Sequence, residues 1–169
     1  MIFAGCGGSA ESDCPSGSII ALGDSITFGA DIPHEDSYPS QLANYVQQHV
    51  CNAGINGDKV DDALDRLQRD LLSHHPSAVV ILLGANDIGL FGFPTEPDEF
   101  SRSLSAIVER VRASGAEPVL CSLLPIDATL LKRSLLRPER WSEYAGSTVT
   151  AEAVADVLIS EGLATAVTG

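Results

Sequence analysis

The sequence predicts an α/β fold in which helices cover both faces of one parallel sheet, giving three layers. Two observations predict this class. Short apolar segments rich in branched side chains recur along the chain, and segments with a helical spacing of apolar residues separate them. The apolar segments are also nearly continuous, as is typical of strands buried on both faces of a parallel sheet. Together they predict a doubly wound sheet with right-handed crossovers.

The elements follow one another in a regular order. Strands are predicted over residues 18–22, 50–52, 79–83 and 118–124, and helices over residues 39–49, 58–73 and 95–115. Asp58 and Thr95 are expected to cap the second and third of these helices. A closing helix begins near Thr150, and no strand is recognisable between Leu124 and that helix. The prediction is therefore a flavodoxin-like sheet that lacks its last strand.

Composition limits the classes of function. At 169 residues the chain is long enough for one domain with a sizeable core. Its net charge is −13, and Lys59 and Lys132 are its two lysines. Because such a surface repels phosphate backbones, nucleic-acid binding is not expected.

Residues 1–17 are predicted to be a flexible leader before a domain of residues 18–169. Small residues precede Cys6 and a Gly/Ser stretch follows it, which resembles the cleavage region of a bacterial lipoprotein. This predicts a lipid anchor through Cys6 and an exported, periplasmic or lipid-anchored protein. The alternative is a plain tail on a cytoplasmic protein. Cys51 and Cys121, in or beside strands, are expected to act as small hydrophobes.

Three polar turns follow three successive predicted strands. They are Gly23-Asp24-Ser25, residues 52–58 and Gly84-Ala85-Asn86-Asp87. The carboxyl ends of parallel strands share one sheet edge, so a hydroxyl, a glycine amide and a carboxamide are expected to meet there. Acyl transfer needs such a set, because a serine attacks the carbonyl while N–H donors hold the oxyanion that develops.

These ordered turns resemble the sequence blocks of the SGNH hydrolases, also called GDSL esterases and lipases. The resemblance implies that Ser25 is the nucleophile, that Gly57 and Asn86 are oxyanion donors together with the Ser25 backbone N–H, and that Asp24 and Asp87 support them. It further implies small acyl-ester or thioester substrates and no metal or organic cofactor. Residues 37–39 and the block spacing look closest to bacterial arylesterases and acyl-thioesterase-like lipoproteins.

The fourth block of that family departs from its pattern here. The family carries Asp-x-x-His before its last helix, whereas the nearest counterpart places Ala145 and Thr148 at those positions, and no histidine follows His75. His34 is the candidate substitute base, since it lies in the loop that leaves the Ser25 turn; a solvent-exposed loop histidine is the alternative. A positioned base contributes about 10²–10⁴-fold to rate, so a weakened esterase is expected.

Two other functions stay open from sequence. One is a non-catalytic relative that binds an acyl or acetylated-glycan ligand at the same turns. The other is a flavodoxin-like phosphate binder using the Ser25 turn, which no Gly-x-x-x-x-Gly-Lys segment supports.

Overall fold

Four parallel strands form one sheet in the order β2-β1-β3-β4. The computed structural model describes residues 14–89, 93–122 and residue 159. The strands are β1 (Ile19–Gly23), β2 (Val50–Gly54), β3 (Ala78–Leu82) and β4 (Glu117–Leu120). The chain leaves β1 toward β2 on one side and returns to β3 on the other, which is the doubly wound arrangement. The predicted α/β class is confirmed.

Helices connect the strands. They are α1 (Ser25–Phe28), α2 (Tyr38–Leu42), α3 (Val60–Asp70) and α4 (Pro97–Ala113), with single 3₁₀ turns at His34–Asp36 and Leu72–His74. The predicted gap in place of a last strand, the Ala145–Thr148 segment and the start of the closing helix all lie outside the described residues. No helix in the described part of the chain is long and apolar enough to cross a membrane.

Alternate side chains of the strands pack on opposite faces of the sheet. One face carries Ile20, Leu22 and Ile81 against the apolar stripes of α3 and α4. The other carries Ile19 and Val80 against α2 and the helical residue Ile159. Because every residue of β1 and β3 is buried, these strands read as continuous apolar runs.

Three predicted helix boundaries are wrong. The first crossover helix ends at Leu42 rather than His49, because a turn over residues 43–45 already returns Val46 to the core. Asp58 does not cap α3, since its carboxylate binds Arg66. Thr95 does not cap α4, since its hydroxyl donates to Asp87 instead.

A disulfide joins Cys14 to Cys51 and so attaches the chain before β1 to β2. The prediction that Cys51 is an unpaired hydrophobe is therefore wrong, whereas Cys121 is a free thiol. The pairing spans 37 residues and forms no recognisable spacing motif, which is why the sequence did not reveal it. Cys14 is buried, so the described end of the predicted leader packs against the domain, and residues 1–13 lie outside the described residues.

The Cys14–Cys51 bond is expected to contribute about 2–4 kcal/mol to the free energy of unfolding. Reduction with dithiothreitol should therefore lower the melting temperature of the wild type. The Cys14→Ser/Cys51→Ser double variant should melt near the reduced wild type, and its melting temperature should not respond to the reductant. Equal melting temperatures for reduced and oxidised wild type would contradict this bond.

Gly54 is the point of closest approach between β2 and α1. A Cβ atom added there would collide with the backbone of Thr27 and Phe28. We expect Gly54→Ala to lower the unfolding free energy by roughly 3 kcal/mol or more, because the obstacle is backbone that cannot move aside. Gly115→Ala is the matched control: its φ is +88° but an added Cβ meets nothing within 4 Å, so about 1–2 kcal/mol is expected. Equal losses in urea unfolding would refute the packing argument.

Candidate active site

Ser25 is the first residue of α1, two positions after Gly23 ends β1. The preceding Asp24 caps this short helix, since its carboxylate accepts a hydrogen bond of 2.9 Å from the N–H of Ile26. Gly29, with φ +83°, ends the helix after four residues. The chain thus makes a tight turn at the carboxyl edge of the sheet and leaves Ser25 half-exposed there.

Gly57 and Asn86 follow the two strands that flank β1. Gly57 stands in the loop after β2 with φ +88°, a conformation that side chains rarely adopt. Asn86 stands in the loop after β3 and is buried, and its Nδ2 donates to the carbonyl of Asp58 at 2.8 Å. This bond fixes the orientation of the carboxamide and ties the loop after β3 to the loop after β2.

The three predicted site residues line one cavity. Its volume is about 490 Å³, within the usual range for a small-ligand site. Its described lining consists of Ser25, Ala30, Asp31, Asn56, Gly57, Lys59 and Asn86. A hydroxyl, a glycine and a carboxamide from three strand ends therefore converge on the same space, as the parallel-sheet argument predicts.

Asp24 and Asp87 lie behind this cavity rather than in its described lining. The Asp87 carboxylate accepts hydrogen bonds from the Val60 N–H, at 3.2 and 3.3 Å to its two oxygens, and from the Thr95 hydroxyl at 2.8 Å. It thereby caps the start of α3 from a neighbouring loop. Both aspartates accept hydrogen bonds from backbone N–H groups, and their supporting role in the site stays a prediction.

Three carboxyl groups under the cavity share a raised pKa. Burial raises the pKa of Asp24 to about 6, and the nearby charges of Asp87 and Asp58 add to the effect. Burial likewise raises the pKa of Asp58, against the opposing pull of Arg66. It also raises that of Asp87, partly offset by the hydrogen bonds from Thr95 and Val60. Burial thus makes ionisation of these groups unfavourable at the site.

His34 lies in the 3₁₀ turn after α1 and is exposed. Its Nδ1 is 3.4 Å from the hydroxyl of Ser40, and it is not in the described cavity lining. Within the described residues no hydrogen bond joins the Ser25 hydroxyl to a basic group. That His34 serves as base therefore stays a prediction.

Sequence reasoning missed two cationic residues at this edge. Lys59 lines the cavity and donates to the Phe93 carbonyl at 2.7 Å, and Arg66 lies buried below it. A signal for Arg66 was present in the sequence. It stands beside Leu67 and three positions after Ala63, on the apolar stripe of α3, where a charged residue is unusual.

Residues 21–162 match the model of the GDSL-like lipase/acylhydrolase family. The chain belongs to this family. The members of this family are hydrolases. The match confirms the resemblance inferred from the three turns.

Curated relatives in the family are esterases and a lipoprotein. An arylesterase of Vibrio mimicus is 38% identical over 64% of this chain and 55% of its own length. An uncharacterized lipoprotein of Bacillus subtilis is 32% identical over 75% of this chain and 54% of its own. The thioesterase 1/protease 1/lysophospholipase L1 of Escherichia coli is 35% identical over 63% and 50%. The chain spans about half the length of these relatives.

Solved structures agree on the fold. A lipase/acylhydrolase from Enterococcus faecalis superposes with a TM-score of 0.62 at 26% identity, covering 86% of this chain and 73% of that one. A G-D-S-L family lipolytic protein from Desulfitobacterium hafniense gives a TM-score of 0.64 at 23% identity, with the same coverage. The flavodoxin-like architecture is therefore that of the family.

The raised pKa of Asp24 predicts a pH dependence of stability. The folded pKa of about 6 lies above the ordinary value of 3.8, so between these values the folded state holds more protons and stability falls as pH rises. The full difference corresponds to about 3 kcal/mol. Asp24→Asn, which keeps a helix-capping side chain, should match the wild type at pH 4 and exceed its unfolding free energy at pH 7 by up to that amount.

The measurement is urea unfolding of both proteins from pH 4 to pH 7. Asp65→Asn, on the exposed side of α3, controls for the loss of one negative charge. Asp58 and Asp87 leave a residual slope in every variant. An Asp24→Asn curve parallel to that of the wild type would show that Asp24 does not carry this dependence.

Proposed function

We propose that the protein is a serine esterase or thioesterase that hydrolyses small acyl esters through an acyl-Ser25 intermediate. The observation that carries this proposal is the shared cavity of Ser25, Gly57 and Asn86. These residues come from three separate segments, and each is of the type that acyl transfer needs. The arylesterase and thioesterase relatives support the same substrate class.

The proposed reaction has two steps. Ser25 Oγ attacks the carbonyl carbon, its proton leaves to a base or to water, and the oxyanion accepts hydrogen bonds from the N–H groups of Ser25 and Gly57 and from Asn86 Nδ2. Collapse breaks the bond to the alcohol or thiol, which departs with a proton. Water then attacks the acyl-serine and releases the carboxylic acid and the free hydroxyl.

The fixed carboxamide supports the second donor role. Asn86 Nδ2 carries two hydrogens, and the 2.8 Å bond to the Asp58 carbonyl occupies one of them. The other remains for a ligand in the cavity that Asn86 lines. A donor held in this way does not have to reorient as charge develops, which is the property that makes oxyanion donors effective.

We propose a rate below that of a full serine–histidine–aspartate enzyme. The nearest counterpart of the family's Asp-x-x-His block in this sequence carries Ala145 and Thr148, and this departure motivates the proposal. Enzymes without one triad member retain about 10³–10⁴-fold catalysis over water through oxyanion donors and binding. His34 is the proposed substitute base, with Asp24 and Asp87 as supports of the backbone.

We further propose that the protein works outside the cytoplasm. The Cys14–Cys51 disulfide supports this, because such bonds persist mainly in oxidising compartments. The Bacillus subtilis lipoprotein relative and the small residues around Cys6 support a lipid anchor through that cysteine.

Replacement of Ser25 tests the proposal. Ser25→Ala should abolish hydrolysis of a chromogenic acetyl or butyryl ester above the buffer rate, and covalent labelling by a fluorophosphonate should disappear with it. Ser73→Ala is the matched control. The exposed Ser73 hydroxyl donates to the Arg69 carbonyl just past the C-terminal end of α3, and Ser73 is not in the described cavity lining. That variant should hydrolyse the ester at the wild-type rate.

The outcomes separate the two candidate functions. Loss of both signals in Ser25→Ala alone supports the esterase. An unlabelled wild type that still binds a short-chain acyl ligand would favour the non-catalytic relative, for which the departure at Ala145 and Thr148 is the motivating observation. Unchanged hydrolysis in Ser25→Ala would overturn the assignment of the nucleophile.

A further inference from the structure

Arg66 is a buried arginine below the candidate active site. It lies in the middle of α3 and is 5% exposed. Arginine is almost never buried to this degree unless it is paired. It is not in the described lining of the cavity, so it is not placed to touch substrate.

The guanidinium makes three hydrogen bonds at the carboxyl edge of the sheet. Its Nε donates to Asp58 Oδ2 at 2.7 Å. Its Nη2 donates to the carbonyl of Ala53 at 2.8 Å and to that of Gly23 at 3.3 Å. Its Nη1 is 3.7 Å from Asp70 Oδ2 and makes no hydrogen bond within the described residues.

These acceptors belong to the segments that carry the site. Gly23 ends β1 two residues before Ser25, and Ala53 stands near the end of β2. Asp58 is adjacent to Gly57, and its carbonyl accepts the bond from Asn86. One guanidinium is therefore linked to the nucleophile turn and the glycine loop directly, and to Asn86 through Asp58.

Stability alone accounts poorly for this arrangement. Desolvation of a buried ion pair commonly offsets its attraction, and an apolar residue of similar size is often as stable. The planar fork of arginine, however, fixes the relative positions of several oxygen atoms at once. The Arg66 guanidinium thus holds the end of β1, the end of β2 and the loop at Asp58 at set distances from one another.

We propose that Arg66 is a positioning residue that sets the separation of Ser25, the Gly57 amide and the Asn86 amide. The proposal rests on the esterase function proposed above. Loss of the guanidinium lets the glycine loop shift relative to the nucleophile. Displacements near 1 Å in such constellations cost about 10²-fold in rate, and loss of one oxyanion donor costs about 10²–10³-fold.

The test compares Arg66→Met, Arg66→Lys and Asp58→Asn with the wild type. Each protein is treated with a series of fluorophosphonate concentrations, well below its melting temperature, to separate the maximal labelling rate kinact from the half-saturating concentration KI. Arg102→Met is the matched control, since it removes a solvent-exposed arginine from α4, away from the Asp58–Arg66–Asp70 cluster. Ellipticity and melting temperature establish that each variant is folded.

Arg66→Met should lower kinact by about 10–100-fold and change KI by less than about threefold. Arg66→Lys should stay below the wild type, because one ammonium group cannot reproduce the fork. Asp58→Asn should give a smaller loss, and Arg102→Met none. A purely structural role predicts a lower melting temperature with unchanged kinact in the folded variants.

The possible failures are distinguishable. A wild type that is not labelled refutes the esterase proposal and this one with it. A labelled wild type with a folded Arg66→Met variant of equal kinact overturns the role of Arg66 alone. If neither Arg66 variant folds, Asp58→Asn decides, and an unchanged kinact in that variant overturns the proposal.

Discussion

The register of the parallel sheet is the constraint on which the site depends. Gly23 at the end of β1 pairs with Gly54 of β2 and with Leu82 of β3, so the three strands end at the same level. The first few residues after each of these strands therefore lie at the same edge of the sheet. A slip of one position would turn every side chain to the other face and separate the three loops. The placement of the three loops at the candidate site therefore follows from hydrogen-bonded strand pairing before any side chain contributes.

Close packing then converts a shared edge into a defined cavity. The end of β2 lies against α1 so closely that only glycine fits at Gly54, and Asn52 reinforces the contact by donating to the Thr27 carbonyl at 2.8 Å. The turn that carries Ser25 and the end of β2 are thus held together by close backbone packing and by this side-chain hydrogen bond. Asn52 and Asp87, polar residues of the second and third turns, form hydrogen bonds with backbone groups of neighbouring segments. Residues of the polar turns therefore stabilise the local fold in addition to any part they take in chemistry.

The sequence predicted the succession of strands and helices along the chain and the three turns, because both depend on local patterns of apolar and turn-forming residues. It failed where a contact is remote. The Cys14–Cys51 bond, the Asp58–Arg66 pair and the Thr95–Asp87 hydrogen bond join residues 8 to 37 positions apart. In each case a residue with a plausible local role, such as a helix cap, found a stronger partner elsewhere. The α2 boundary failed for a related reason, since a turn buries Val46 as well as a longer helix would.

Electrostatics explains why so many donors surround the carboxylates at this edge. Ionised Asp24, Asp58 and Asp87 would repel an oxyanion forming in the cavity, and burial makes each harder to ionise. Each carboxylate is accordingly held by a donor: the Ile26 N–H, the Arg66 guanidinium, and the Val60 N–H with the Thr95 hydroxyl. These bonds hold the three carboxyl groups in place and partly offset the effect of burial on their ionisation. Among the described side chains, Arg66 alone brings a full positive charge into direct contact with one of these three carboxyl groups, that of Asp58. It also bonds to the carbonyls of Gly23 and Ala53. The balance of charge at this edge and the proposed spacing of the loops therefore depend on the same residue.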